Sequence, residues 1–259
     1  VTGYSLTPVP DSGDRWFPRS GAPTQARLLL FCLPHAGGGG TSFARWRDAL
    51  PGFVGVQPVQ LPGRESRLRE PARIEPWEVA RALLRRADRP YAIYGHSMGG
   101  VLAQEVVRRI AALGGPPPLC LCVGASRPPH LAPNVFERWA DLADDALVSE
   151  VAALGGLPTT ALGHPRLRAR FVEVVRADVR WLATYRLAGQ QPSAALTVPV
   201  VAFAGSRDRL AGAQVMRRWS ELANAGFRLH VIDGGHFFHA ENLPAFARVL
   251  ARELGAALS

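Results

Sequence analysis

The run Gly95-His96-Ser97-Met98-Gly99, followed at once by Gly100, places a hydroxyl where the chain must turn sharply. A serine is a poor nucleophile at neutral pH. It becomes a good one when a base takes its proton and a carboxylate orients that base. The apolar run 91–94 precedes the pentapeptide and a helix-forming stretch, 101–113, follows it. The expected local structure is strand, tight turn, helix, with Ser97 at the apex. Glycines two residues before and two after remove the Cβ atoms that such a turn would crush. The Met98 N–H then stands at a helix N-terminus, where it can meet developing negative charge. The pattern alone also fits a plain turn whose serine caps the helix, so other groups must decide.

In a strand-turn-helix unit of this kind the partners follow in the order Ser, Asp or Glu, then His, each after a strand's C-terminal end. His236 fits the base. It follows the strand-like run 228–232 through Asp233-Gly234-Gly235, whose glycines let the loop bend toward Ser97. The other six histidines fit less well: His35 and His96 belong to other motif loops, His130 and His164 to a long helical segment, His230 to a strand, and His239 to the next turn. Asp208 is the carboxylate in the loop after the run 200–204; its bland alternative is a helix cap or an ion pair with Arg207 or Arg209. The other position for an acid, 124–127, reads Gly-Ala-Ser-Arg and offers no carboxylate. Asp233 is too near His236 in sequence to be preferred. A second oxyanion donor is expected from the glycine-rich loop 34–40, with the Ala36 N–H paired to that of Met98. Such a loop can also cradle phosphate, but no Gly-Lys-Ser/Thr follows it.

These loops need a frame. Strand-like runs fall at 27–33, 54–60, 91–94, 119–124, 198–204 and 228–232, and helical runs at 42–50, 76–87, 98–113, 213–223 and 244–258. The strands are continuously apolar, as in a parallel sheet covered on both faces. This β-α rhythm predicts an α/β fold with a mostly parallel central sheet. About seventy residues between the fourth and fifth strands hold no convincing strand, too many for an ordinary loop. Helical stretches at 144–154 and 167–185 lie inside them. Pro128, Pro129 and Pro133 mark the entry, and Gly189 and Pro192 the exit. The segment 128–192 is therefore expected to be a helical lid inserted into one domain spanning 1–259. An ordinary pair of covering helices is the alternative. Residues 1–23 are expected to be irregular. They show no apolar leader core, so a cytoplasmic location is expected.

The composition, 47% hydrophobic and 20% charged in 259 residues, suits one large globular domain. Every one of the 30 basic residues is arginine, and the formal charge is +9. Nothing interleaves aromatic with basic residues as a nucleic-acid surface would, and no apolar run is long enough for a membrane span. The charge fits an acidic protein partner better. Local clusters fall at Arg64, Arg67, Arg69 and Arg73 and at Arg166, Arg168 and Arg170, and a solvated surface is the default reading for most of the arginines. The three cysteines, Cys32, Cys120 and Cys122, read as small core residues, with no zinc spacing among them.

Four stretches carry a resemblance. Leu33-Pro34-His35-Ala36-Gly37-Gly38, Gln60-Leu61-Pro62-Gly63-Arg64-Glu65, Gly95-His96-Ser97-Met98-Gly99-Gly100 and Gly235-His236-Phe237-Phe238 resemble type II thioesterases. These are the stand-alone hydrolases of polyketide and nonribosomal peptide assembly lines. Arg176-Ala177-Asp178 and Thr184-Tyr185 are similar to that family too, and the likeness runs from about residue 28 to 250. Gln60–Glu65 is the most diagnostic piece. One departure is Arg209 after the aspartate, where many relatives have proline. The resemblance implies the α/β-hydrolase fold, a triad of Ser97, Asp208 and His236, and an oxyanion hole from Ala36 and Met98. It implies no metal or dissociable cofactor. The substrate would be an acyl thioester on the phosphopantetheine arm of an acyl or peptidyl carrier protein, and the role would be clearing stalled or misprimed acyl groups. A small-molecule carboxylesterase, or an acyltransferase using an acceptor other than water, would need the same triad. Trp139, Leu142, Phe171 and Trp181 are candidates to line an acyl pocket, or equally to pack the lid.

Overall fold

The computed structural model describes residues 15–17, 25–131, 135–156, 164–188 and 195–259. Most of the 1–23 segment lies outside them, as do the lid markers Pro133, Gly189 and Pro192. Six strands form one parallel sheet: β1 (Leu28–Leu33), β2 (Val54–Pro58), β3 (Tyr91–His96), β4 (Leu121–Gly124), β5 (Val200–Gly205) and β6 (Phe227–Ile232), in the order β2-β1-β3-β4-β5-β6. Alternate residues of the central strands feed two different cores. Leu29, Phe31, Ile93, Val123 and Ala202 face α2 (Pro76–Arg86) and α3 (Met98–Ala112). Leu30, Cys32, Tyr94, Cys122 and Phe203 face Trp46 of the short helix α1 (Trp46–Ala49) and the last helix of the chain. This double burial explains why the strands read as unbroken apolar runs. The edge strand β6 is the exception: Val231 is exposed.

Between β4 and β5 lie α4 (Val135–Trp139), α5 (Asp144–Ala153) and α6 (Pro165–Ala188). Then come α7 (Ala213–Arg217), α8 (Phe238–Glu241) and α9 (Leu243–Leu258). Pro76 and Pro244 sit in the first turns of α2 and α9, where a missing N–H is harmless. Two expected helices are shorter than their periodicity suggested. Residues 42–50 divide into a 3-10 turn, Gly40–Phe43, and α1; residues 213–223 divide into α7 and a 3-10 turn, Arg218–Leu222. Over so few residues an apolar period cannot separate a 3-10 turn from an α-helix. Trp219, fully buried, anchors the second 3-10 turn by donating its indole N–H to the Ser126 carbonyl at 2.6 Å.

Trp16 and Phe17 are also buried, although they fall in the segment expected to be irregular. The Trp16 ring lies under the Arg67 guanidinium at 4.2 Å, and its carbonyl accepts from the Gln60 N–H at 2.8 Å. The three cysteines are free and buried. No helix among the described residues is long and apolar enough to cross a membrane.

Candidate active site

Ser97 stands between β3 and α3 with φ 52° and ψ −117°. That positive φ costs a residue with a Cβ about 1–3 kcal/mol, so its surroundings must impose it. The Ser97 N–H donates to the Gly124 carbonyl at 2.8 Å, and the Gly100 N–H donates to the Ser97 carbonyl at 3.0 Å. A Cβ on Gly95 would overlap the Gly99 carbonyl oxygen. A Cβ on Gly99 would overlap the carbonyls of Leu33 and Pro34. The loop leaving β1 therefore runs directly alongside the serine turn.

The loops after β5 and β6 remain bonded to each other beyond the strands. The Ser206 N–H donates to Ile232 O at 2.8 Å, and the Arg207 N–H to Gly234 O at 2.9 Å. This brings Asp208 Oδ2 to 2.9 Å from His236 Nδ1, and His236 Nε2 to 3.1 Å from Ser97 Oγ. All three residues are buried. The other carboxylate oxygen of Asp208 accepts from the N–H groups of Leu210 and Ala211 at 2.9 and 3.1 Å. Burial pushes the Asp208 carboxyl up, but the hydrogen bond and charge of His236 and the two backbone donors outweigh it. They hold the group below its ordinary value. An ionised Asp208 keeps the imidazole proton on Nδ1. Nε2 is then free to accept the serine proton. Asp233 is exposed and bonds Ser206 Oγ and Arg207 instead.

In the loop after β1 a turn closes through Gly38 N–H to His35 O at 2.9 Å, with Gly37 at φ 76°. The Gly37 N–H is occupied: it donates to Asp178 Oδ2 at 2.8 Å. Of the turn's two central N–H groups, only that of Ala36 has no acceptor among the described residues, and the Met98 N–H has none there either.

Three further histidines crowd His236. The His96 and His239 rings lie 4.0 Å apart, and His35 and His96 are 6.3 Å apart. His96 Nε2 is 2.9 Å from the His236 carbonyl, which can only accept, so Nε2 carries the proton. Nδ1 then accepts from the Tyr94 hydroxyl at 2.9 Å. His96 thus ties the serine strand to the backbone of His236. Its role was not legible in the sequence, because its partner lies 140 residues away. Burial, and then the neighbouring imidazoles, push His96 well below its ordinary pKa. Burial first, then the charge of His236 and Arg64, lowers His35 to about 3. Burial, then His35 and His236, lowers His239 to about 3.

These shifts set an acid limit. The unfolded chain protonates its histidines near their ordinary value of about 6.5. The folded chain leaves these three neutral down to far lower pH. Unfolding below about pH 6 therefore takes up about three protons from this cluster, and stability falls by about 4 kcal/mol per pH unit until the folded groups titrate. The expected result is a melting temperature that drops steeply from pH 6 to 4; a flat profile there would contradict the neutral cluster.

Two of the remaining histidines have other partners: His130 Nε2 lies 2.9 Å from Glu221, and His230 Nε2 lies 2.8 Å from Glu253. Arg64 and Arg67 are buried, unlike the solvated surface that is the default for most of the arginines. Arg67 is held by Glu70 and the Gln60 carbonyl. A cavity of about 460 Å³ lies beside the site, walled by Gly37, Arg64, Leu167, Phe171, Val174 and Phe237 among others. Of the four acyl-pocket candidates, Phe171 lines this cavity. Trp139 packs on Phe136 at 5.2 Å, Trp181 stacks on Tyr185 at 5.3 Å, and Leu142 packs against the main core.

Known proteins share this arrangement of chain. The thioesterase domain model matches residues 29–254. Thioesterase PikA5 of Streptomyces venezuelae is 33% identical over 88% of this chain and 81% of its own. The solved structure of the RedJ thioesterase, from the prodiginine biosynthetic pathway in Streptomyces coelicolor, is 32% identical. It superposes with a TM-score of 0.76, covering 92% of this chain and 99% of its own. The type II thioesterase BorB, from the borrelidin biosynthetic cluster, is 31% identical with a TM-score of 0.77, over 96% and 100% of the two chains. The six-stranded sheet is accordingly that of the α/β-hydrolase fold, and the chain belongs to the thioesterase domain family as a thioester hydrolase with type II thioesterases among its relatives.

Proposed function

We propose that this thioesterase removes acyl groups from the phosphopantetheine arm of acyl or peptidyl carrier proteins. In this reading it clears aberrant or stalled units during polyketide or nonribosomal peptide synthesis. The observation that carries the chemistry is the unbroken hydrogen-bonded series Asp208–His236–Ser97 at a strained turn. Ser97 Oγ attacks the thioester carbonyl as His236 Nε2 takes its proton. The tetrahedral oxyanion is met by the N–H groups of Ala36 and Met98, both without another acceptor among the described residues. Collapse expels the thiolate, which receives the proton from His236. Water then enters, gives a proton to His236, and attacks the acyl-serine. A second collapse returns that proton to Ser97 and leaves a free acid.

The segment 128–192 acts in this reading as a lid on a single domain, because α6 supplies Leu167, Phe171 and Val174 to the cavity wall. The excess of arginine, with a net charge of +9, favours an acidic carrier. A cytoplasmic location belongs to the same reading. RedJ is named from the prodiginine biosynthetic pathway and BorB as a type II thioesterase of the borrelidin biosynthetic cluster, which supports a carrier-bound substrate.

The test is intact-mass spectrometry of carrier proteins loaded with acetyl, propionyl, butyryl or malonyl groups. Wild type is expected to strip the acyl mass within minutes at catalytic concentration, and Ser97→Ala to leave it in place. Cleavage of simple oxygen esters with every loaded carrier untouched would replace this reading with a small-molecule esterase.

A further inference from the structure

We propose that Asp178 of α6 and Arg64 are positioning residues that hold the 35–38 turn, and through it the Ala36 N–H, in its oxyanion-binding orientation. This rests on the thioesterase reading above and on a cluster that the mechanism itself does not use. Asp178 is fully buried and Arg64 nearly so. Their contact is a two-pronged pair: Arg64 Nη1 to Oδ2 and Nη2 to Oδ1, both 2.8 Å. Oδ2 also accepts the Gly37 N–H at 2.8 Å, while Arg64 Nη1 donates to the Gly38 carbonyl at 3.0 Å. The pair therefore grips the turn on both sides of the Gly37–Gly38 peptide. Gly37 itself admits no side chain, since a Cβ there would overlap Val175 of α6 and its φ is positive.

Stability gives little reason to keep such a pair. Two buried charges lose hydration, and apolar residues of similar volume often replace them without loss. What apolar residues cannot do is accept the Gly37 N–H. Without that bond the turn's central peptides are free to reorient, and the Ala36 donor would have to be reset in each turnover. An oxyanion donor is effective because it is already aimed before charge develops. The pair also makes the aim of the donor depend on where α6 sits. Arg64 belongs to the Gln60–Glu65 stretch and Asp178 to Arg176–Asp178, so one contact accounts for both motifs.

The experiment compares wild type, the double variant Arg64→Met/Asp178→Leu, and Asp178→Asn on one acyl thioester. It measures kcat, KM, melting temperature and the rate of fluorophosphonate labelling at Ser97. The expected result for the double variant is a melting temperature near wild type, KM within about threefold, and kcat lower by about 10- to 100-fold. Labelling should slow in parallel. Asp178→Asn keeps an oxygen for the Gly37 N–H, so its kcat is expected to fall less than tenfold. A folded double variant with full kcat would overturn the proposal. So would Asp178→Asn as deficient as the double variant, and that comparison with Asp178→Leu alone decides the matter if the double variant cannot be purified. Wild type that hydrolyses thioesters without being labelled at Ser97 would instead bring down the mechanism on which the inference stands.

Discussion

Ser97→Ala is expected to lower thioester hydrolysis by about 10⁶-fold, the scale of loss when the nucleophile of a serine-histidine-aspartate unit is removed. The expectation follows from position as well as chemistry. Ser97 Oγ is 3.1 Å from His236 Nε2, and the turn beneath it is fixed by backbone bonds that do not involve the side chain. Alanine meets the same strain at φ 52° as serine does, so the variant should fold and melt like wild type. Its residual rate would come from the Ala36 and Met98 donors acting on bound substrate. Thiol release from an acyl thioester, followed at equal substrate occupancy, reads the loss directly. A variant that keeps more than about one hundredth of the wild-type rate would remove Ser97 from the nucleophile's role.

Asp208→Asn is expected to cost about 10⁴-fold in kcat with little change in KM or stability. The carboxylate oxygen that accepts the Leu210 and Ala211 N–H groups can be replaced by the amide oxygen of asparagine. The amide NH₂ must then face His236 Nδ1 across the 2.9 Å contact. A donor there drives the imidazole proton to Nε2, and Nε2–H cannot accept the proton of Ser97. The fold is intact and the base is in place but in the wrong tautomer. A similar loss in Asp233→Asn would point to the wrong acid; that residue's exposure and its bonds to Ser206 and Arg207 predict near wild-type activity.

Both expectations rest on residues that the sequence already marked, and the reason is local. The serine turn needs glycines on either side because backbone atoms of Gly99, Leu33 and Pro34 leave no room for Cβ atoms. The acid follows a strand whose apolar run is plain and the base follows the mixed run of the edge strand β6, so their loops could be assigned by counting strands. What the sequence did not disclose is long-range and polar. Arg64 gave no sign of its partner, since nothing near it in the chain signals a carboxylate 114 residues away. His96 looked like part of the serine motif, not like a strut to the His236 carbonyl. Trp16 and Phe17 sat in a segment rich in proline, glycine and serine, and periodicity has no purchase on two aromatic residues filling a core by themselves. The fate of Trp139 and Trp181 was equally hidden, because a helix pattern shows which face is apolar but not whether that face meets a cavity or another helix.

The parallel sheet has a consequence for how this enzyme comes into being. Neighbouring strands in such a sheet cannot be joined by a tight turn; each pairing spans a crossover, and contacts between distant parts of the chain form slowly. Ser97 and His236 are 139 residues apart, and Asp208 meets His236 only once β5 and β6 have paired. In refolding from denaturant, helix formation and burial of the first strands should therefore precede any hydrolytic competence. Reactivity toward a fluorophosphonate becomes a clock for the final pairing at the β6 edge.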